Sequence, residues 1–100
     1  MMQAAAAIAD PIRRRVLELV RDGEVPAGEL AEQFDVSRPA VSRHLRVLRE
    51  AGLVQERRDG RLRLYRASPE PLAELRDWLD RYWDDRLRAL KQLAEDDSRG

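Results

Sequence analysis

The stretch SRPAVSRHLRVLREAGLV, residues 37–54, carries the signals of a helix with a defined start, end and buried face. Ser37 is a favourable N-cap residue and Pro39 is tolerated in a first helical turn, so the helix is predicted to begin at residue 38. Gly52 is typical of a helix end, which places the last helical residue near position 51. At 100° per residue, one side of this helix is apolar and is predicted to be buried: Val41, Leu45 and Leu48.

The opposite half of this helix is polar and cationic, and it presents Arg38, Ser42, Arg43, Arg46 and Arg49. An Arg side chain can bind guanine O6 and N7 through two hydrogen bonds, and a Ser hydroxyl can bind base edges or phosphates. A helix divided in this way is typical of a recognition helix, whose N-terminal end enters the major groove of DNA. The residues predicted to read bases are therefore those near that end: Arg38, Pro39, Ser42 and Arg43.

Three other residues of this helix have less definite roles. Ser37, with the free N–H groups of the first turn, suits a phosphate, although capping alone would also explain it. Arg46 is predicted to contact DNA from the middle of the helix. His44 lies about 60° from the buried stripe. It either contacts a phosphate or packs at the helix edge.

The charge of the chain is unevenly distributed, although the net charge is zero. Residues 37–66 hold nine arginines against three acidic residues, whereas the segments on both sides are net acidic. A basic centre between acidic ends is the footprint of a local binding site for a polyanion. The charge pattern therefore supports double-stranded DNA as the partner.

A basic β-hairpin is predicted after the recognition helix, within residues 54–67. Residues 54–58 and 61–67 flank Asp59-Gly60, a pair typical of a two-residue type I′ turn. That turn would place Arg58 opposite Arg61 and Glu56 opposite Arg63. Like charges at a hairpin tip are destabilising unless an external partner neutralises them. The wing is therefore predicted to contact DNA through four residues: Arg57, Arg58, Arg61 and Arg63.

The last predicted helix, residues 69–94, carries more apolar surface than the core of one 100-residue chain can cover. Its near-heptad spacing favours a homodimer interface shared with an Ala-rich first helix at residues 4–9. The predicted interface residues are Ile8, Leu72, Leu75, Leu79, Tyr82, Trp83, Leu87 and Leu90. A groove for a peptide or ligand lined by Trp78, Tyr82 and Trp83 is the alternative. Residues 96–100 are expected to fray.

The complete prediction is a single mainly α domain over residues 1–100, a winged helix–turn–helix in the order α-α-α-α-β-β-α. Two further helices are predicted before the recognition helix, one capped by Asp10-Pro11 and ended by Gly23, and one beginning between Pro26 and Gly28. The function predicted is sequence-specific DNA binding as a transcriptional regulator. A protein-interaction module that uses the last helix, with the helix–turn–helix as a scaffold, is the competing interpretation.

Several function classes are disfavoured by composition. The chain has no cysteine, which excludes disulfides, thiol catalysis and thiolate metal sites, and its lone histidine has no neighbouring nucleophile in the sequence. No apolar run reaches the length of about 20 residues that crosses a bilayer. Residues 1–8 lack the layout of a signal peptide. We therefore expect a cytoplasmic protein that is not an enzyme and has no membrane partner or cofactor.

The sequence strongly resembles the ArsR family of bacterial winged-helix repressors. The resemblance covers roughly residues 4–90, and its most specific part is residues 39–54. The remaining segments that carry it are ADPIRRRVL at 9–17, GELA at 28–31 and DGR at 59–61. It implies a homodimer built from the first and last helices, an inverted-repeat operator and repression by occlusion of the promoter.

The chain departs from the family pattern at the positions of the metal-sensing ligands and at one turn. Metal-sensing members resemble one another in a Cys-x-Cys motif, and this chain has Pro26 and Gly28 at the equivalent positions. Other members carry Asp and His ligands on the last helix, which lacks His here. No metal site of either kind is therefore expected. An unidentified effector between the last helices, or a hard cation bound by Asp77, Asp80, Asp84 and Asp85, is left as an alternative. Asp35 stands where the helix–turn–helix usually has Gly, so it is expected in the left-handed conformation.

Overall fold

The computed structural model describes residues 2–99, with side chains described as far as residue 97. The elements follow one another as α1 (Met2–Ala7), α2 (Pro11–Leu19), β1 (Val25–Pro26), α3 (Ala27–Glu32), α4 (Arg38–Glu50), β2 (Val54–Asp59), β3 (Leu62–Ala67) and α5 (Glu70–Arg99). Short helices joined by a tight turn and followed by a hairpin form a winged helix–turn–helix. The predicted fold class is confirmed, with one strand, β1, added to the predicted order.

The recognition helix α4 forms as its sequence predicts. Ser37 caps it, since its Oγ accepts a hydrogen bond from the Ala40 N–H at 3.3 Å. The predicted stripe is buried, at 2%, 3% and 0% exposure for Val41, Leu45 and Leu48. These side chains belong to a core that also includes residues of α2, α3 and the wing. Burial of one face fixes the direction in which the cationic face points.

The C-terminal end of α4 is a Schellman motif that joins the recognition helix to the wing. Gly52 has a φ of +74°, and its N–H donates to the Arg49 carbonyl at 3.0 Å. The Leu53 N–H donates to the Leu48 carbonyl at 2.9 Å, and both leucine side chains are fully buried. This is the hydrogen-bond pair and apolar contact of the motif. The wing therefore begins at a fixed position relative to the recognition helix.

The predicted cap of α2 is confirmed, but its predicted end is wrong. Asp10 accepts hydrogen bonds from the Ile12 and Arg13 N–H groups at 2.8 and 3.2 Å, and Pro11 occupies the first helical turn. The helix ends at Leu19 rather than near Gly23, because the chain turns at Val20 to bring β1 against the wing. The first helix lies at Met2–Ala7 rather than at residues 4–9. Arg13 holds its C-terminal end, donating from Nε to the Ala7 carbonyl at 2.6 Å.

The sheet has the strand order β1-β3-β2, and its hairpin turn differs from the prediction. Asp59 pairs with Leu62, so the two turn residues are Gly60 and Arg61 rather than Asp59 and Gly60. Gly60 has a φ of +62°, whereas no other residue type has a positive φ within residues 2–99. A glycine with positive φ at the first turn position, followed by a residue with negative φ, is typical of a type II′ turn; a type I′ turn needs positive φ at both positions.

The one-residue shift of the turn changes every cross-strand pair in the wing. Arg58 lies opposite Arg63, not Arg61, and Glu56 lies opposite Tyr65, not Arg63. The like-charge pair predicted for the hairpin therefore exists, but between Arg58 and Arg63. The short strand β1, which the sequence did not predict, pairs Val25 with Tyr65 on the other edge of β3.

The tight turn between α3 and α4 is built without a left-handed residue. Asp35 has a negative φ, so the expectation of a left-handed Asp35 is wrong. The preceding helix ends with N–H groups of Gln33 and Phe34 donating to the carbonyls of Leu30 and Ala31 at 3.1 and 3.4 Å. The turn is thereby closed by ordinary right-handed residues.

Helix α5 extends further than the prediction of residues 69–94. Residues 95–99 continue the helix, so the expected fraying from residue 96 is wrong as far as residue 99. The helix gives the molecule a longest dimension of 70 Å and a radius of gyration of 19.1 Å. A compact chain of this length would have a radius of gyration of about 13 Å. Within residues 2–99, no helix combines the length and apolar character needed to cross a bilayer.

Candidate DNA-binding surface

A cationic groove lies between the exposed face of α4 and the inner face of the wing. It consists of two adjoining concavities of about 370 and 270 Å³ that share Ser42 and Arg63 in their walls. The recognition helix contributes Arg38, Pro39, Ser42, Arg43, Arg46 and Arg49. The wing contributes Arg61, Leu62, Arg63 and Tyr65. The structure therefore brings most of the predicted DNA-binding residues of the helix and the wing to one surface.

Five of the arginines at this groove have no ion-pair partner in the described part of the chain: Arg38, Arg43, Arg46, Arg61 and Arg63. All five are exposed. Unneutralised guanidinium groups around one concave surface create a positive potential there. Each group has five N–H donors in a planar fork that fits a phosphate or the edge of a guanine.

Glu56 is an acidic residue of the inner wing face, and it connects the wing to the recognition helix. Its Oε2 accepts hydrogen bonds from Arg49 Nη1 at 2.7 Å and from the Tyr65 hydroxyl at 3.0 Å. Partial burial raises the pKa of Glu56, but the hydrogen bonds from Tyr65 and Arg49 outweigh it and hold that pKa below its usual value. Glu56 therefore neutralises the charge of Arg49, which lines the groove.

Arg57 and Arg58 lie on opposite faces of the wing, because side chains alternate along a strand. Arg58 shares the inner face with Glu56 and approaches its Oε1 to 3.9 Å. Arg57 lies on the outer face and binds Glu24 through two hydrogen bonds at 2.8 and 2.9 Å. The structure thus separates Arg57 from the other predicted DNA-binding residues.

His44 lies half-buried on the side of α4 that faces α2. Its Nδ1 is 3.3 Å from Nη1 of Arg13. Of the two roles left open by the sequence, packing at the helix edge is the one that has a contact in the structure. Ser37, the other residue with two roles, is exposed at the start of α4 and acts as its cap.

The residues predicted to form a dimer interface divide into two groups. Ile8, Leu72 and Leu75 are half-buried, and the first two pack on the core of their own chain. The other five are exposed along α5: Leu79, Tyr82, Trp83, Leu87 and Leu90. Trp78 and Tyr82 stack with ring centroids 5.6 Å apart, and Tyr82 meets Trp83 edge-on at 5.8 Å.

Among the described residues, no three His, Asp or Glu side chains are grouped to hold a metal ion.

Sequence reasoning missed two features of the groove. Tyr65 was not singled out, although alternation along β3 with Arg63 would have placed both on one face. The N-terminal end of α3 was also missed, and Ala27 lines both concavities because β1 directs the start of α3 towards the wing. The start of α3 is placed by the pairing of β1 with β3, which lies far away in the sequence. A pattern of neighbouring residues therefore does not predict it.

Comparison with known proteins agrees with this geometry. A family model described as a helix-turn-helix domain matches residues 8–57. The HTH-type transcriptional regulator Rv2034 of Mycobacterium tuberculosis is 45% identical, over 93% of this chain and 87% of its own length. The transcriptional repressor SdpR of Bacillus subtilis is 36% identical, over 73% of this chain and 81% of its own. A solved ArsR-like transcriptional regulator from Rhodococcus sp. RHA1 superposes with a TM-score of 0.80 at 36% identity, covering 94% and 89% of the two chains.

Fold, groove and relatives define a DNA-binding transcriptional regulator of the winged helix–turn–helix class. Within that class, the chain belongs to the ArsR family. The resemblance carried by residues 9–17, 28–31 and 39–54 is thereby confirmed. Proteins of this family act as regulators that bind double-stranded DNA.

Proposed function

We propose that this protein is a homodimeric repressor of the cytoplasm that binds an inverted-repeat operator. Each protomer would insert the N-terminal half of α4 into a major groove and place the inner face of its wing on the adjacent phosphates. Arg38, Pro39, Ser42 and Arg43 would contact base edges. Arg46, Arg58, Arg61 and Arg63 would contact the backbone, with Ser37 and the first turn of α4 at a phosphate. Repression would follow from occlusion of the promoter.

The observation that carries the proposal is the set of unpaired arginines around one groove. Two other arginines of α4 and the wing do have carboxylate partners: Arg49 binds Glu56, and Arg57 binds Glu24. Leaving five guanidinium groups without an ion-pair partner on one surface costs stability through mutual repulsion. A DNA backbone would offset this repulsion and release its counterions at the same time.

The case for a homodimer rests on the apolar face of α5. Trp83 is 58% exposed and Leu90 62% exposed, and they continue a series that begins at Leu79. An apolar stripe of this length on a helix that projects from its domain favours pairing with a second copy. A two-fold axis through α5 would present two recognition helices to half-sites about 34 Å apart, one turn of DNA.

The test is a mobility-shift titration on duplexes from the promoter region of the protein's own gene. We expect saturable binding at moderate salt, with a two-fold symmetric footprint. Arg43→Ala with Arg46→Ala should lower the affinity at least ten-fold, since a bidentate contact to a base contributes about 1–3 kcal/mol. The matched control is Arg81→Ala with Arg88→Ala, which removes the same charge from α5 and should change the affinity little.

Two results would reject the proposal. One is an absence of binding to any duplex from that region at moderate salt. The other is an equal loss of affinity in the groove variant and the control variant, because the effect would then reflect net charge rather than the groove. Sizing the protein alone and with a bound duplex would show a 2:1 complex if the dimer is correct.

A further inference from the structure

Glu56 lies where the last turn of the recognition helix meets the inner face of the wing, and its side chain is only 13% exposed. Its Oε2 connects three elements, because Glu56 belongs to β2 and accepts hydrogen bonds from Arg49 of α4 at 2.7 Å and from the Tyr65 hydroxyl of β3 at 3.0 Å. Tyr65 is buried, at 4% exposure. The carboxylate therefore holds the end of α4 against the wing.

The carboxylate of Glu56 is ionised at neutral pH. Partial burial raises its pKa, but the hydrogen bonds from Tyr65 and Arg49, with the charges of Arg49 and Arg63, lower it by more. A hydrogen bond between an ionised carboxylate and a guanidinium is stronger than one between neutral groups. Arg49 is 48% exposed and lines the groove, so DNA and Glu56 compete for the same guanidinium.

Arg49 lies at the end of α4 that is remote from the predicted base-reading residues. The helix has 13 residues and is therefore about 20 Å long, and Arg49 belongs to its last turn. A recognition helix contacts base edges mainly with its N-terminal residues. An arginine at the other end, next to the wing, reaches the phosphate backbone, which carries no sequence information.

The arginines of α4 are neutralised selectively along the helix. Arg38, Arg43 and Arg46 have no ion-pair partner within the part of the chain that the structure describes, whereas Arg49 is bound to Glu56. Charge is thus removed at the end of the helix where only phosphates are within reach. It is kept at the end that contacts base edges.

We propose that Glu56 is a specificity-determining residue, which weakens binding to non-operator DNA more than binding to the operator by keeping Arg49 from the phosphates. This role rests on the proposed function. Non-specific binding depends almost entirely on phosphate contacts, so a released Arg49 would strengthen it by one full contact. In the operator complex, base contacts fix the position of the protein, and loss of the Glu56 contact would also loosen the wing from α4. The gain there is therefore smaller.

The test compares two duplexes of equal length, the operator identified by its footprint and a random sequence, by fluorescence anisotropy. Glu56→Gln keeps the shape of the side chain and an acceptor for the Tyr65 hydroxyl, but it removes the charge that holds Arg49. At about 0.15 M salt, we expect the affinity for the random duplex to rise about five-fold or more, and that for the operator less than about two-fold. Glu24→Gln, the matched control, should leave both affinities unchanged.

A double variant shows whether Glu56 acts through Arg49. Arg49→Gln combined with Glu56→Gln removes the released cation, so the affinity for the random duplex should return to that of the unsubstituted protein. Arg81→Gln combined with Glu56→Gln has the same net charge, but its missing arginine lies on α5. This control should keep the raised affinity. A purely structural role of Glu56 would not be rescued by Arg49→Gln, and circular dichroism reports whether each variant is folded.

Three results would overturn the proposal. Equal gains on the two duplexes would mean that Glu56 lowers DNA affinity in general, and unchanged affinities would mean that Arg49 does not reach DNA. Equal affinities of the two double variants would assign the effect to net charge. An unsubstituted protein that binds the operator candidate and the random duplex equally would contradict the proposed function itself, and would leave no specificity for Glu56 to determine.

Discussion

The guanidinium of Arg57 donates two hydrogen bonds to the carboxylate of Glu24, from Nε at 2.8 Å and from Nη2 at 2.9 Å. The hydrogen bonds from Arg57 hold the pKa of Glu24 below its usual value. Glu24 directly precedes β1, so the pair fastens the outer face of the wing to the strand that completes the sheet. This wing arginine therefore forms an ion pair with another residue of its own chain, on the face of the wing away from the groove.

The first prediction separates the two faces of the wing. Arg63→Ala should weaken binding to operator DNA and reduce the slope of log affinity against log salt by about one, because one phosphate contact is lost. Arg57→Ala removes the same charge from the same hairpin, but it should leave that slope unchanged. Fluorescence anisotropy of a labelled duplex between 50 and 300 mM salt measures both quantities. Equal changes in the two variants would mean that the outer face also contacts DNA.

The second prediction concerns Glu56, whose carboxylate neutralises Arg49 at the groove. Glu56→Gln should release Arg49 to bind a phosphate and raise the affinity for random-sequence duplex. The salt slope should steepen by about one, since one more counterion is released. Glu24→Gln is the matched control, because it removes an arginine-bound carboxylate from the outer face of the wing. A Glu56→Gln variant with an unchanged slope would show that Arg49 does not reach the DNA.

Sequence features that involve only neighbouring residues were sufficient to predict much of the fold. Ser37 as a cap, Gly52 as a terminator and the stripe of Val41, Leu45 and Leu48 each depend on neighbours within one or two helical turns. The sequence therefore predicted α4 to within one residue of its observed end. The two faces of that helix followed directly, and with them the base-reading candidates.

Long-range contacts account for what the sequence did not predict. β3 also pairs with β1, through Tyr65 and Leu64, and the hairpin turn lies one residue later than predicted. That register decides which residues lie opposite one another in the wing, whereas alternation along β2 puts Arg57 on the face where it meets Glu24, 33 residues away. His44 likewise meets Arg13 from another helix. Such partners are set by tertiary packing, which no pattern within one element contains.

The third prediction tests the apolar face of α5. Leu79→Glu should convert the proposed dimer to a monomer and weaken association roughly 100-fold or more, since burying an unpaired carboxylate in an interface costs several kcal/mol. Arg81→Glu is the control: two residues further on, it lies about 200° around the helix and should leave the dimer intact. Sedimentation equilibrium over a range of protein concentrations measures both. A dimer that survives Leu79→Glu would place the interface elsewhere.

The fourth prediction concerns Asp10, the N-cap of α2. Partial burial raises the pKa of Asp10, but hydrogen bonds from the backbone N–H groups of Arg13 and Ile12, with the nearby His44 and Arg13 charges, lower it by more. A carboxyl group with a lowered pKa in the folded state stabilises the protein above its unfolded-state pKa. That stabilisation is lost as the pH falls through the folded-state pKa, below about pH 4.

Two substitutions at Asp10 separate the cap from the charge. Asp10→Ala should lower the free energy of unfolding by about 1 kcal/mol at pH 7, whereas Asp10→Asn should cost less because Asn is an equally good cap. The difference between Asp10→Asn and the unsubstituted protein should shrink between pH 7 and pH 3, since protonated Asp10 is neutral like Asn. Urea unfolding at fixed protein concentration measures these differences, because dimerisation would make stability depend on concentration. Subtracting the Asn variant also removes the contributions of Glu24 and Glu56, whose carboxyl groups likewise have lowered pKa values. A difference that stays constant with pH would mean that the charge of Asp10 does not contribute to stability and that its role is capping alone.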